Sequence, residues 1–240
     1  IQETLTAELS HNRAVRMHAR IAESLEENYG VEVGNHAEEM VEHLAEAQLI
    51  LGSEKLVEYA MIAGRESASR NAWETAGSYY QTAIDAMSDP TDPMVRAKAE
   101  HGMGQFLTVM ANNEAPQQAA AHLKRAFDIY VSLGMDEMAV AVAKTPLRSR
   151  AAQEGLILIE KALPLVAQGS EDYGFVLLRH AVHLRDAKND FDLSTDQLSE
   201  ALQIAEETGN TALAARAHVH MAQQQFQLDQ MPQAVEHGYL

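Results

Sequence analysis

The chain is interrupted at nearly even intervals by residues that stop one helix and start another. Gly52-Ser53, Pro90, Gly134, Gly169-Ser170 and Gly209-Asn210 each join a helix-ending residue to a Ser, an Asn or the nearby Asp92, which can cap the next helix. The intervals between them are 38, 44, 35 and 40 residues. That is too long for one ordinary helix and suits two helices folded back on each other. The stretch from Tyr59 to Pro90 shows the plan most clearly. Trp73, Ala76, Tyr80 and Ala83 follow at spacings of three, four and three, one stripe of a helix. Gly64, one helix earlier, leaves room for a partner helix to come close, and Asn71 between them tolerates a left-handed turn.

A chain of 240 residues built this way can hold one or two domains or one elongated array. Apolar residues make up 46% of it but aromatic residues only 5%, and alanine supplies much of the difference. Small side chains suit closely packed helices, whereas a β-sandwich or barrel needs more aromatic and β-branched strands. The expected fold class is all-α.

Residues 1–50 differ from the rest. Ile1, Leu5 and Leu9 space a short helix, and Ser10 offers an N-cap for a helix carrying Val15, Ile21, Ala22 and Leu25. Gly30 and Gly34 interrupt, and Asn35 with Glu38 offers a cap for a helix through Leu49. From residue 51, five helix pairs are expected, over 51–90, 91–134, 135–169, 170–209 and, incompletely, 210–240. In the second, Gly104 lies in the inner helix, and Ala119 and Ala126 mark the outer one beyond a turn at Asn112 to Ala115. Pro146 cuts the third inner helix short, before an outer stripe of Gly155, Ile159 and Ala162. Asn189 marks the fourth turn, ahead of Phe191, Leu198 and Ala201. Asp229 marks the fifth, ahead of Met231 and Ala234. Ile1 begins inside a helical pattern and Leu240 falls inside a second helix, so a segment of a longer protein is expected.

The order of small residue, turn, aromatic, A-x3-F/Y and a later proline resembles the tetratricopeptide repeat. Ala60, Ala63 and Ser67 depart from the family, standing where it usually has Trp, Leu and Tyr. The resemblance implies a right-handed α-superhelix, an α-solenoid of antiparallel helix pairs whose inner helices line a concave wall. Two blocks, Ile1-Gln2-Glu3-Thr4-Leu5 and Arg16-Met17-His18-Ala19-Arg20-Ile21-Ala22, resemble the join between the ATPase module and the helical repeats of large bacterial signal-transduction (STAND-type) ATPases. That group includes LuxR-type transcriptional regulators and adenylate-cyclase-linked regulators. The resemblance implies that residues 1–50 join an upstream ATPase or winged-helix module to the repeats. No G-x-x-x-x-G-K-[ST] phosphate loop occurs in the chain itself.

Composition narrows the function further. There is no cysteine, hence no disulfide framework and no thiolate metal site. A formal charge of -17 opposes binding to a phosphate backbone, so nucleic acid is not an expected direct partner. The apolar runs are too short to span a bilayer and no leader opens the chain, so a cytoplasmic location without a membrane partner is expected.

Eleven histidines raise a metal question. His180 and His183, with Asp186 three residues on, share a helix face, whereas His36 with His43 and His218 with His220 are less well spaced. No HExxH or paired ExxH motif accompanies them, so they read as packing or solvated residues, and no metal or other cofactor is expected. Glu38, Glu39, Glu42 and Glu46 read as a solvated face, and Trp73, Tyr79 and Tyr80 as core. No nucleophile motif is present, no catalytic residue is assigned, and the segment is not expected to be an enzyme.

Placing the inner helices in register by their turns selects nine residues for the concave wall. They are Arg65 in the first pair, Lys98, His101 and Gln105 in the second, Lys144 in the third, Arg179 and His183 in the fourth, and Arg216 and Gln223 in the fifth. In a chain with 35 acidic and 18 basic residues this is a basic, polar strip. Such a strip suits a carboxylate-rich protein segment or a small anionic effector. The expected function is a non-catalytic sensor or scaffold that binds such a partner. The alternative is a structural adaptor acting through self-association.

Overall fold

The computed structural model describes residues 11–88, 92–110, 113–229 and 237–238. In the first of two compact units, Ile1–Val109, lie α1 (His11–Tyr29), α2 (Ala37–Leu51), α3 (Glu54–Ser69), α4 (Trp73–Ala86) and α5 (Pro93–Val109). In the second, Met110–Leu240, lie α6 (Ala115–Ser132), α7 (Asp136–Ala143), α8 (Ala152–Ala162), α9 (Glu171–Lys188), α10 (Phe191–Thr208) and α11 (Thr211–Gln227). Short 3-10 segments occur at Gly30–His36, Ser149–Ala151 and Leu163–Leu165, and no strand occurs among the described residues. The fold is all-α.

Consecutive helices pack on one another within each unit. First helices of successive pairs also touch, α3 against α5, α7 against α9, and α9 against α11. This is the nearest-neighbour packing of a solenoid-like fold, in which no pair covers its own apolar face. Helices α1 and α2 pack on each other and α2 packs on α3, all within the first unit, which ends at Val109.

The turns follow a common device. Asn71, Gly134 and Gly209 adopt left-handed conformations with φ of 59°, 68° and 69°. The next backbone N–H reaches back five residues in each case, Ala72 to Ser67, Met135 to Tyr130 and Asn210 to Ala205, at 2.8–2.9 Å. Ser170, Asp190 and Asn210 then start α9, α10 and α11, each side chain accepting from the N–H three residues on at 2.9–3.1 Å. Two expected caps are corrected. Asn35 lies inside the 3-10 segment, and α2 begins at Ala37 behind His36 without a side-chain cap. Ser53 likewise makes no cap bond, because its backbone is already helical. The expected helix at Ile1, Leu5 and Leu9, the Ser10 cap, Pro90, Asn112, Met231 and Ala234 lie outside the described residues.

Packing is set where bulk meets absence. The Tyr80 ring of α4 lies against Gly64 of α3 and Gly102 of α5; a Cβ on either glycine would come within 2.9 or 2.5 Å of it. One turn earlier, Gly77 receives Phe106. Ala60, Ala63, Ala76 and Ala83, all fully buried, complete the close approach. In the second unit Leu177, Leu178, Ala181, Leu198, Ala201, Ile204, Leu213 and Ala217 form one core across α9, α10 and α11. No described helix is long and apolar enough to cross a membrane.

Gly102→Ala forces a methyl group into the Tyr80 ring, which is itself buried. The expected loss is about 1–3 kcal/mol of stability, read as a lower urea midpoint. Adding Tyr80→Leu restores part of the midpoint shift; an unchanged midpoint in Gly102→Ala would contradict this packing.

Candidate functional site

The nine wall residues fall in both units. In the first, Arg65 on α3 and Lys98 and Gln105 on α5 are exposed. His101, on the same face of α5, is half-buried, and desolvation pushes its pKa down to about 4. It is neutral at pH 7 and adds no positive charge to a basic strip.

The second unit brings most of its members together. Pro146 cannot continue α7, which ends at Ala143 and leaves carbonyls without helical partners. The Nε of Arg179, from the middle of α9, donates to one of them, the Lys144 carbonyl, at 3.3 Å. Lys144 Nζ pairs with Asp172 at 2.5 Å and stands 5.8 Å from the centre of the Phe175 ring. The Arg216 guanidinium, from α11, lies 5.6 Å from that same ring. Phe175 therefore gathers cations from α7 and α11, with Arg179 one turn beyond it on α9. Burial lowers the Arg179 pKa to about 10, with the Arg216 charge adding to the effect, and the guanidinium stays charged at neutral pH.

The acids nearby are already engaged. Asp186 accepts from Arg185 Nε at 2.8 Å and from Ser149 Oγ at 2.6 Å. Asp172 holds Lys144. Neither Arg179 nor Arg216 has a carboxylate partner among the described residues. His220, one turn after Arg216, donates to exposed Gln223 at 3.1 Å. Burial, and to a lesser degree Arg179 and Arg185, lower its pKa, while Gln223 and Asp186 act the other way.

His183 is a correction. It is 2% exposed, and its ring fills the space that a Gly155 side chain would occupy, with Nε2 only 2.5 Å from an ideal Cβ position. It is core and presents no surface to a ligand. Its pKa is pushed down to about 4, chiefly by burial and then by Arg179. His180 donates from Nδ1 to Gln197 at 2.8 Å. Among the described residues no group of three or more His, Asp or Glu is placed to hold a metal ion. Other histidines pair with one another, His18 with His43 and His218 with His237, each with Nδ1 atoms 2.9 Å apart.

Sequence reasoning did not place Phe175, His220, Asp172, Arg185 or Asp186 at this face, though it weighed His220 and Asp186 as metal ligands. The first two carried a usable signal. Phe175 precedes Arg179 by four residues and His220 follows Arg216 by four, the spacing that stacks side chains on one helix face. The acid engaged by Lys144 could not be assigned without the pairing of α7 with α9.

No family model and no curated protein matches the chain. Among solved structures the crystal structure of BtubC (BKLC) from P. vanneervenii is similar, with a TM-score of 0.54 and 13% identity, over 96% of this chain and 89% of that one. At that identity the likeness speaks for the fold alone.

The neutral state of His183 has a consequence for stability. Its folded pKa is below the unfolded value, so the folded state binds fewer protons between the two. Its contribution is complete above about pH 6.5 and is lost as pH falls towards about 4, at about 1.4 kcal/mol per pH unit. His183→Gln removes that proton, and its stability should fall more gently than that of the parent chain over this window in urea titrations. Parallel pH profiles would contradict the assignment.

Proposed function

We propose that the chain is a non-catalytic recognition module of tetratricopeptide type, which holds an acidic protein segment or a small anionic effector on the face built by α7, α9 and α11. The observation that carries this reading is the Arg179 and Arg216 pair. Two neighbouring guanidiniums stand without carboxylates in a chain that carries 35 acidic against 18 basic residues. What sets the pair apart from other cations is that Arg179 is half-buried and feels the Arg216 charge, and like charges held together in this way are a common mark of a functional site. Lys144, anchored over Phe175, adds attraction at longer range.

A parent among bacterial signal-transduction ATPases or transcriptional regulators, in the cytoplasm, follows from the resemblance of the two short leading blocks. The second of them lies in α1, where Ala19 and Ala22 are buried and Arg16 and Arg20 exposed. In such a parent, occupancy of the repeats would be coupled to the nucleotide state of another module.

A second reading, self-association as a structural adaptor, is favoured by one observation. Between α6 and α8 a hollow of about 310 Å³ is floored by Ala120, Ala121 and Leu158 and edged by Ile157, which is 45% exposed. Light scattering separates the two readings. A monomer that binds acidic peptide supports recognition, and a concentration-dependent oligomer without ligand supports the adaptor.

Charge reversal tests the recognition reading. Arg179→Glu with Arg216→Glu is expected to weaken binding of a fluorescent Asp/Glu-rich peptide by at least about a hundredfold, measured by anisotropy at low salt. The parent chain should itself lose affinity as salt is raised. Unchanged affinity in the double variant, with its helical circular dichroism intact, would rule the face out.

A further inference from the structure

The charges on the α7, α9 and α11 face can be balanced one by one. Lys144 is neutralised by Asp172 and Arg185 by Asp186, whose second oxygen is taken by Ser149. What remains is Arg179 and Arg216, two positive charges with no carboxylate among the described residues to meet them. His220 adds no third charge at neutral pH, because burial lowers its pKa below the ordinary histidine value.

Both guanidiniums are held in place before any ligand arrives. Arg179 is fixed through Nε to the Lys144 carbonyl, which leaves its terminal nitrogens as the free donor edge. Arg216 is set against the Phe175 ring. Two guanidiniums, from two different helices, therefore lie near enough for their charges to act on each other. A carboxylate carries a single charge on two coplanar oxygens, so one bidentate guanidinium already neutralises it and the charge of the second cation stays uncompensated. A phosphoryl group carries close to two charges at neutral pH on three oxygens that diverge in space, and can engage both.

We infer that Arg179 and Arg216, steadied by the Lys144 carbonyl and the Phe175 ring, form a binding site for a single phosphoryl dianion. The inference rests on the reading of this face as an anion-binding surface and narrows it to a ligand class. Two sources present the same dianion, a phosphorylated side chain in a partner segment and a small phosphate such as inorganic phosphate.

The test uses the whole chain and defined probes. Thermal unfolding is followed in sodium phosphate, and in sodium acetate and sodium chloride at equal ionic strength, for the parent chain and for Arg216→Gln. Arg216 is exposed, so its replacement leaves the core intact. The expected result is a phosphate-specific rise in melting temperature whose half-maximal concentration increases at least about tenfold in Arg216→Gln. Three peptides of one sequence, carrying phosphoserine, glutamate or serine, then identify the source. Phosphoserine binding at least about tenfold tighter than both other peptides and than inorganic phosphate assigns the site to a phosphorylated partner. Phosphoserine binding no tighter than inorganic phosphate assigns it to a small phosphate.

A phosphate effect that survives Arg216→Gln overturns the inference. So does a glutamate peptide that binds as tightly as the phosphoserine one without competition from phosphate, and that result leaves the acidic-segment reading standing. If none of these anions binds, the inference and the reading beneath it fall together.

Discussion

Close approach of helices through missing side chains is the constraint on which each unit depends. Tyr80 occupies its place because Gly64 and Gly102 have nothing there, and His183 does so because Gly155 has nothing there. Alanines on the same stripes hold the helix axes near enough for such insertions. With few aromatics to fill a wide core, the chain stabilises itself by narrowing the gaps between helices, and dispersion contacts reward that steeply with distance. The layout of the site follows. Once α7, α9 and α11 stand side by side, side chains one turn apart on each become neighbours across the face.

Polar chemistry in the second unit is arranged around the short helix α7. Pro146 ends it early, an exposed carbonyl follows, and Arg179 is drawn in to satisfy it. That bond places a half-buried guanidinium near Arg216 while the local acids are occupied elsewhere. A helix-breaking residue thus positions a charge thirty-three residues later in the chain, through an ordinary need for a hydrogen-bond donor. Repulsion between the two arginines is offset in part by the contact each makes, Arg179 with the Lys144 carbonyl and Arg216 with the Phe175 ring.

Much of the architecture was legible before any coordinates. Left-handed Asn71, Gly134 and Gly209 lie where the turn residues suggested, and Ser170 and Asn210 cap as expected. Ser53 and Asn35 show why capping residues alone mislead. A serine can cap only if its own backbone is extended, and at Ser53 it is helical. For the candidate site, Lys144, Arg179 and Arg216 were selected by setting the first helices of the pairs in register by their turns. His183 was misjudged as wall and is core, because helical phase gives direction to within about one residue, and one residue separates a wall from a core.

By itself the sequence determined the helical class, the positions of the turns and the identity of the cations, because periodicity, positive φ and charge are properties of local stretches. Tertiary structure alone decided that α1 and α2 share a compact unit with α3, α4 and α5, since that depends on which helices α2 packs against. It alone decided, too, which cations are neutralised and which remain. The Lys144 pairing is settled by distances between segments far apart in sequence, and Asp172 could be spent on it only once the end of α7 and α9 had met.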